Sequence, residues 1–202
     1  MMLTYGVKQI REYFINELSD AQNGEEGIYE KDRTGQKTIE MVAASFLADE
    51  PAIFGTPSES YIGDEIRWYE SMSTNIYDIN PDNEPPEAWK YSANQNGEIN
   101  SNYGHLIFSD KYYNQMEQAI KELKNNPHSR RACIVYNRPS IWTEFDEGGK
   151  NDFICTNAVT YYIRNDELQS VVQMRSNDVI FGYKNDYAWQ RYVMDKISKK
   201  LG

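Results

Sequence analysis

The feature that most constrains the fold is a pair of β-favouring segments in the second half of the sequence. Residues 153–163 and 168–174 carry valine, isoleucine and tyrosine, which favour strands. Asn165 and Asp166 lie between them, and both residue types accept the positive φ angles of a tight hairpin turn. The sequence therefore predicts two antiparallel strands, and with them a fold that contains a sheet.

Helical patterns precede this hairpin. Apolar residues recur at helical spacing from Val7 to Leu18, which predicts an amphipathic helix that ends near Asn23. A second helix is predicted over about 57–72, because Thr56 supplies a capping side chain and Pro57 suits the first helical position.

The remaining patterns predict a strand at 38–46, a helix from Tyr112 to Leu123 that stops before Pro127, a strand at 131–136, and a final helix from near Asp186 to about Lys199. Helices interleaved with antiparallel strands, without an internal repeat, favour a single α+β domain over residues 1–202.

Charge and hydropathy exclude several classes of protein. The net charge of -10, from 31 acidic and 21 basic residues, disfavours direct nucleic-acid binding. No stretch approaches the roughly 18 consecutive apolar residues of a membrane span, and the first residues do not form a signal-peptide core. We therefore expect a cytoplasmic protein without a membrane partner.

Cysteine and histidine are scarce, with two residues of each type. Two cysteines do not make a disulfide framework, and so few ligands predict that the protein holds no metal. We expect any chemistry to depend on cysteine, carboxylates and arginine.

Glu65 is the first candidate, because aromatic and apolar residues lie one helical turn before and after it. If this helix face is buried, desolvation raises the carboxyl pKa and makes Glu65 a usable general acid or base. The alternative is a glutamate at the edge of the buried stripe.

Cys155 is the second candidate. It lies near a predicted strand start beside polar Thr156 and Asn157, whereas Cys133 alternates inside an apolar strand. A nucleophilic thiolate needs nearby cations. The alternative for both residues is a small buried apolar side chain.

Arginines could supply those cations or bind a phosphate, for which the planar guanidinium is suited. The candidates are Arg33, Arg130, Arg131, Arg138 and Arg175. Adjacent residues on a strand point to opposite faces, so Arg130 and Arg131 could not both grip one phosphate from the same face. The alternative is a solvated charge run.

Asp186 opens the predicted final helix, where its simplest role is an N-cap that binds free backbone amides.

Seven segments, taken in order, resemble those of the thymidylate synthase superfamily, in particular its branch from T-even-type phages that acts on deoxycytidylate. They cover nearly the whole chain: Asp32-Arg33-Thr34-Gly35, residues 61–69, residues 100–104, Ser129-Arg130-Arg131, residues 153–157, residues 174–178 and residues 181–189.

The resemblance implies a thymidylate synthase-like fold, a mixed or antiparallel sheet with packed helices, and a homodimer formed through the sheet. It implies that Cys155 is the nucleophile and that Glu65 manages protons and ordered water. The implied binding residues are Arg33, Arg175 and Ser176 at the substrate phosphate, Arg130 and Arg131 at the partner subunit's phosphate, Tyr103 near the nucleophile, and Asp178 toward the folate.

Asp186 decides the expected substrate, because thymidylate synthases have an asparagine there that pairs with uracil. Cytosine presents an amino donor beside N3, and protonated N3 becomes a second donor, so one carboxylate can accept both. We therefore expect dCMP and 5,10-methylenetetrahydrofolate as substrates, and 5-hydroxymethyl-dCMP and tetrahydrofolate as products, through a covalent adduct between Cys155 and C6.

Other hypotheses remain open at this point. One is a cytidylate methylase or a thymidylate synthase. Another is a non-catalytic fragment that binds nucleotide or a partner in a phage nucleotide-synthesis complex. The family also has a C-terminal segment with a His-x-Tyr pair that binds the sugar, and we expect this chain to lack it.

Overall fold

The computed structural model describes residues 5–23, 29–31 and 35–202, which form α-helices and two antiparallel sheets. In chain order the elements are α1 (Val7–Gln22), β1 (Tyr29–Lys31), β2 (Lys37–Ile39), α2 (Glu59–Ser71), α3 (Glu87–Ser92), α4 (Tyr103–Phe108), α5 (Gln115–Asn125), β3 (Cys133–Val135), α6 (Ile141–Glu144), β4 (Thr156–Arg164), β5 (Glu167–Met174) and α7 (Gly182–Leu201). The mixture confirms the predicted α+β class. In the described part of the chain, no helix is long and apolar enough to cross a membrane.

The chain forms two compact units, one from residues 1–57 and 178–187 and the other from residues 58–177 and 188–202. In the first unit, α1 buries Val7, Ile10 and Phe14, which pack with Ile53 and Tyr183. This confirms the predicted first helix, although Leu18 is exposed.

The strand predicted at 38–46 is confirmed only at its start. β2 pairs with β1 and ends at Ile39, and the chain then turns through Ala43, whose φ is 58°. A left-handed residue interrupts a strand, because it breaks the alternation of side chains on which pairing depends.

In the second unit, α2 covers most of the predicted second helix but is capped differently. The cap is Ser58, whose hydroxyl accepts a hydrogen bond from the backbone amide of Tyr61 at 3.5 Å, so the prediction of Thr56 as the cap was wrong. Serine and threonine are both good N-cap residues. Ser58 is the one that directly precedes the first helical residue, Glu59, so its hydroxyl can reach the free amide of Tyr61. The helix ends at Ser71.

β3, β4 and β5 form an antiparallel sheet with β4 in the centre. Asn165 and Asp166 have φ of 53° and 62°, which confirms the predicted hairpin turn. One sheet face packs on helices, and the core there contains Trp68, Tyr69, Leu123, Ile134, Val159, Tyr161, Trp189, Val193 and Ile197.

The final helix, α7, begins at Gly182, four residues before the predicted start. Asp186 therefore lies inside the helix, and the interpretation of Asp186 as an N-cap was wrong. The turn before the helix is held by Asp178, whose Oδ1 accepts hydrogen bonds from the amides of Ile180 at 2.8 Å and Phe181 at 2.7 Å. These bonds organise the turn that leads into α7.

Candidate active site

Cys155 lies immediately before β4, and Arg175 immediately after β5. Because Thr156 pairs with Met174 across the two strands, these two neighbours are brought together. The half-buried Sγ of Cys155 is 3.6 Å from Nη2 of Arg175, and the backbone amide of Arg175 donates to the carbonyl of Cys155 at 2.9 Å. The hairpin thus places a cation beside the predicted nucleophile.

The guanidinium of Arg175 is held in place by the loop that precedes Cys155. Nη2 donates to the carbonyl of Phe153 at 2.6 Å and Nε to that of Ile154 at 3.1 Å, and the guanidinium lies 5.0 Å from the centre of the Phe153 ring. Within the described part of the chain, Nη1 makes no hydrogen bond. Arg175 can therefore stabilise negative charge on sulfur while one donor group remains for an anion.

Glu65 is 5% exposed on the inner face of α2, as the spacing of its apolar neighbours predicted. The hydroxyl of Tyr61 donates to its Oε1 at 2.8 Å, and the indole of Trp89 donates to the same oxygen at 3.3 Å. Burial raises the pKa of Glu65 to about 7, although both hydrogen bonds lower it. Glu65 can therefore take up and release a proton near neutral pH.

Tyr103 opens α4 and is buried among aromatic rings. Its ring stacks on Tyr69 with centroids 5.4 Å apart, and its hydroxyl accepts a hydrogen bond from Oγ1 of Thr156 at 3.0 Å. Thr156 follows Cys155 directly, so α4 is connected to the nucleophile loop.

Asp152 is a residue that sequence reasoning missed. It is buried three residues before Cys155, and its Oδ2 accepts hydrogen bonds from the amides of Asn100 at 2.6 Å and Ser101 at 2.8 Å. The hydroxyl of Ser101 also contacts Oδ1. Burial raises the pKa of Asp152 despite these bonds. The sequence carries little signal for this role, because Asp152 follows Asn151 at the end of an acidic loop and directly precedes the predicted strand.

Arg130 and Arg131 precede β3 and are both exposed. Arg131 forms an ion pair with Glu122 at 3.0 Å, and the amide of Arg131 donates to the hydroxyl of buried Ser129. Ser176 is exposed beside Arg175.

The other predicted site residues lie elsewhere in the chain. Asp178 and Asp186 belong to the first unit, whereas Cys155, Glu65 and Tyr103 belong to the second. Arg33 lies outside the described residues. No three histidine, cysteine or acidic side chains of the described residues are grouped so that they could hold a metal ion.

A cysteine beside a fixed arginine, together with a buried carboxyl group that can exchange a proton, suits an enzyme that uses nucleophilic catalysis with proton transfer. The family model for thymidylate synthase matches residues 21–202, so the chain belongs to the thymidylate synthase family. It is 49% identical over 170 residues to the deoxycytidylate 5-hydroxymethyltransferase of Enterobacteria phage T4, and the alignment covers 84% of this chain and 68% of the relative.

The enzyme of the same name from Enterobacteria phage T2 gives the same identity and coverage. Among solved structures, the thymidylate synthase of phage T4 matches with a TM-score of 0.67 and 20% identity, covering 95% of this chain and 70% of that one. Thymidylate synthase A from Bacillus subtilis matches with a TM-score of 0.54 and 21% identity, covering 70% and 51%. These two structures support the fold.

Proposed function

We propose that this protein is a deoxycytidylate 5-hydroxymethyltransferase, which transfers the one-carbon unit of 5,10-methylenetetrahydrofolate to C5 of dCMP with addition of water. The observation that carries the proposal is the Sγ of Cys155 held 3.6 Å from the Arg175 guanidinium. The family supplies the reaction class, and the 49% identity to an enzyme of that name supports the substrate.

We assign separate residues to the two ends of the nucleotide, the phosphate and the base. Arg175 and Ser176 bind the phosphate together with Arg33, because Nη1 of Arg175 is available for an anion. Asp186 accepts hydrogen bonds from the cytosine amino group and from protonated N3. Uracil is rejected because its O4 acceptor would face the carboxylate without a hydrogen between them. Tyr103 lies near the nucleophile and Asp178 faces the folate.

The first chemical step is the attack of the Cys155 thiolate on C6, which makes C5 nucleophilic. The folate supplies the one-carbon unit, which forms a bond to C5. A base then removes the C5 proton, the C–N bond to tetrahydrofolate breaks with its electron pair going to nitrogen, which takes up a proton, and an exocyclic methylene remains at C5. Water then adds to this methylene and gives a proton to Glu65. The electron pair of the exocyclic double bond forms the C5–C6 double bond, and the C6–S bond breaks with its pair returning to Cys155.

We further propose a homodimer formed through the open face of the β3–β4–β5 sheet. Val135 and Val171 lie on this face and are 48% and 51% exposed. Apolar side chains grouped on one open sheet face favour burial against a partner. Arg130 and Arg131 adjoin β3, so in such a dimer they are available to the partner subunit's phosphate.

The proposal is tested by incubating the purified protein with methylenetetrahydrofolate and either dCMP or dUMP, followed by mass spectrometry of the nucleotide. We expect hydroxymethyl-dCMP, tetrahydrofolate and little reaction of dUMP. A methylated product accompanied by dihydrofolate would identify a methylase instead. Cooperative unfolding and dCMP binding without turnover would identify a non-catalytic protein.

Cys155→Ser tests the nucleophile, with Cys133→Ser as the matched control. Exchange of the C5 hydrogen of dCMP with solvent requires the covalent adduct at C6, so Cys155→Ser should abolish it and leave dCMP binding largely intact. Cys133→Ser should retain exchange. Exchange that persists in Cys155→Ser contradicts the assignment.

A further inference from the structure

Tyr61, Glu65 and Trp89 form a closed triangle of polar atoms inside the second unit. Tyr61 lies one helical turn before Glu65 on α2, and Trp89 comes from α3. The Nε1 of Trp89 is 3.0 Å from the hydroxyl oxygen of Tyr61 and 3.3 Å from Oε1 of Glu65, and the Tyr61 oxygen is 2.8 Å from the same Oε1.

The direction of these hydrogen bonds follows from the donor types. An indole N–H can only donate, so the Tyr61 oxygen accepts from Trp89 and its own hydrogen points to Glu65. Burial raises the pKa of Tyr61 well above its ordinary value, so the phenol remains a donor at neutral pH.

Both donors bind the same oxygen of the carboxyl group. Oε1 accepts from Tyr61 and Trp89, whereas Oε2 has no hydrogen-bond partner among the residues that the structure describes. The two oxygens are therefore inequivalent: Oε1 is held, and Oε2 is the oxygen that can carry a proton.

The other charged and titratable side chains on these helices have their own contacts. On α2, Asp64 pairs with Arg67, and Glu70 pairs with Lys196 of α7. Glu87 pairs with Lys90 within α3. On α4, which packs against α2, Tyr103 binds Thr156 of β4 and the ring of His105 contacts that of Tyr112. The pKa of Glu65 is set by burial, Tyr61 and Trp89, and Asp64 acts on Tyr61.

We propose that Tyr61 is a positioning residue for Glu65: its hydroxyl fixes Oε1, so that Oε2 accepts the proton from the water that adds to the substrate. This inference rests on the proposed function for the identity of that water. The hydroxyl also stabilises the ionised carboxylate, which is the form that accepts the proton.

The test is Tyr61→Phe, which removes the hydroxyl and retains the ring. Without this donor, the apparent pKa of the acidic limb of kcat should rise by about one unit, because a hydrogen bond to a charged group is lost. At pH 7 kcat should fall about fivefold, with recovery at higher pH and little change in KM for dCMP. A merely structural role would not shift the pH profile.

The matched control is Tyr192→Phe, which removes a hydroxyl that contacts a different glutamate, Glu70. Its pH profile should equal that of the wild type. If Tyr61→Phe folds poorly, a fluorinated tyrosine at residue 61 retains the shape and is a stronger donor, and it should lower the apparent pKa. An unshifted profile with both changes at residue 61 overturns the proposal.

A titration of Glu65 by NMR, with carboxyl-labelled glutamate and no substrate, separates this proposal from the proposed function. The pKa of Glu65 should be higher in Tyr61→Phe than in the wild type even if neither protein turns over dCMP. Equal values overturn the role of Tyr61, whereas a shift without turnover contradicts only the proposed function.

Discussion

The ionisation of Glu65 opposes folding, because its carboxyl group is charged in water at neutral pH and is buried in the native protein. Burial raises its pKa from 4.5 to about 7. A raised folded-state pKa gives a contribution to stability that is present below pH 4.5 and is lost as the pH rises through about 7. The full loss corresponds to about 3 kcal/mol.

Glu65→Gln should remove this pH dependence while retaining acceptor and donor atoms at the site. We expect the stability of the variant relative to the wild type to increase by about 2–3 kcal/mol between pH 4.5 and pH 8. Urea denaturation of both proteins at several pH values measures this difference. Parallel curves of stability against pH would contradict the assigned pKa.

Asp186→Asn tests the base contact. An amide can donate to O4 of uracil and accept from its N3–H, whereas a carboxylate can only accept. The variant should shift the ratio of kcat/KM for dCMP and dUMP toward dUMP by about tenfold or more. The same ratio measured for Glu65→Gln serves as a control, since that change affects the proton acceptor rather than the base edge. An unchanged ratio in Asp186→Asn would remove Asp186 from substrate recognition.

The burial of Glu65 could be predicted, because helical spacing states which residues share a face. The hydrogen bond from Tyr61 to Glu65 could not be predicted. Helical spacing shows that the two residues are neighbours, but it determines neither the rotamers of their side chains nor the contact of Trp89 with both. The start of α7 was misplaced for a related reason. In the sequence, Asp178 and Asp186 are equally suited to accept hydrogen bonds from free backbone amides before a helix. Only the structure shows that Asp178 binds the amides of Ile180 and Phe181 in the turn before α7.

Among the elements, those with strong local signals were predicted well. The β4–β5 hairpin has its turn encoded in Asn165 and Asp166, and α1 and α5 have sustained apolar periodicity. The helices α3, α4 and α6 were not predicted. Each has six residues or fewer, and helices of this length depend on tertiary contacts rather than on their own propensity.

The close packing of α2 on α4 yields a prediction about glycine. A Cβ at Gly104 would overlap the backbone carbonyl of Tyr69, and the backbone cannot swing aside as a side chain can. Gly104→Ala should therefore lower the free energy of unfolding by about 3 kcal/mol or more.

Gly63→Ala is the matched control on α2. Its Cβ would lie 3.3 Å from Nη1 of Arg67, the end of a flexible and exposed side chain. Alanine is also favoured over glycine inside a helix by about 0.8–1 kcal/mol, so Gly63→Ala should leave stability unchanged or raise it. Urea denaturation compares the two variants. Equal stabilities would show that the α2–α4 contact tolerates an added methyl group.

At the scale of the whole molecule, membership of the thymidylate synthase family could be predicted from ordered motifs, and the family model confirms it. The division into two compact units could not be predicted. The first unit combines residues 1–57 with 178–187, which are far apart in the sequence. Such units are defined by contacts between residues that are far apart in the sequence, and local sequence patterns do not show which of these residues meet.

The proposed dimer can be tested by a single substitution on the open sheet face. Thr160 pairs with Val171 across the β4–β5 ladder, so Val171 lies on the open sheet face, midway along β5. In a twofold dimer a single substitution is present twice in the same interface. Val171→Lys would bury two unpaired ammonium groups there and should weaken the dimer by several kcal/mol.

Val42→Lys provides the comparison, because it adds the same charge at a side chain that is 81% exposed and lies outside the sheet. Sedimentation equilibrium at micromolar concentration should give a dimer for the wild type and Val42→Lys, and a monomer for Val171→Lys. The Val171→Lys monomer should also lose turnover, and adding the dimeric Cys155→Ser variant should not restore it. These results would show that the open face is required for activity. The reason that we propose is that this face brings Arg130 and Arg131 to the partner subunit. A wild-type protein that sediments as a monomer yet turns over dCMP would contradict the dimer, and the phosphate would then have to be bound without those two arginines.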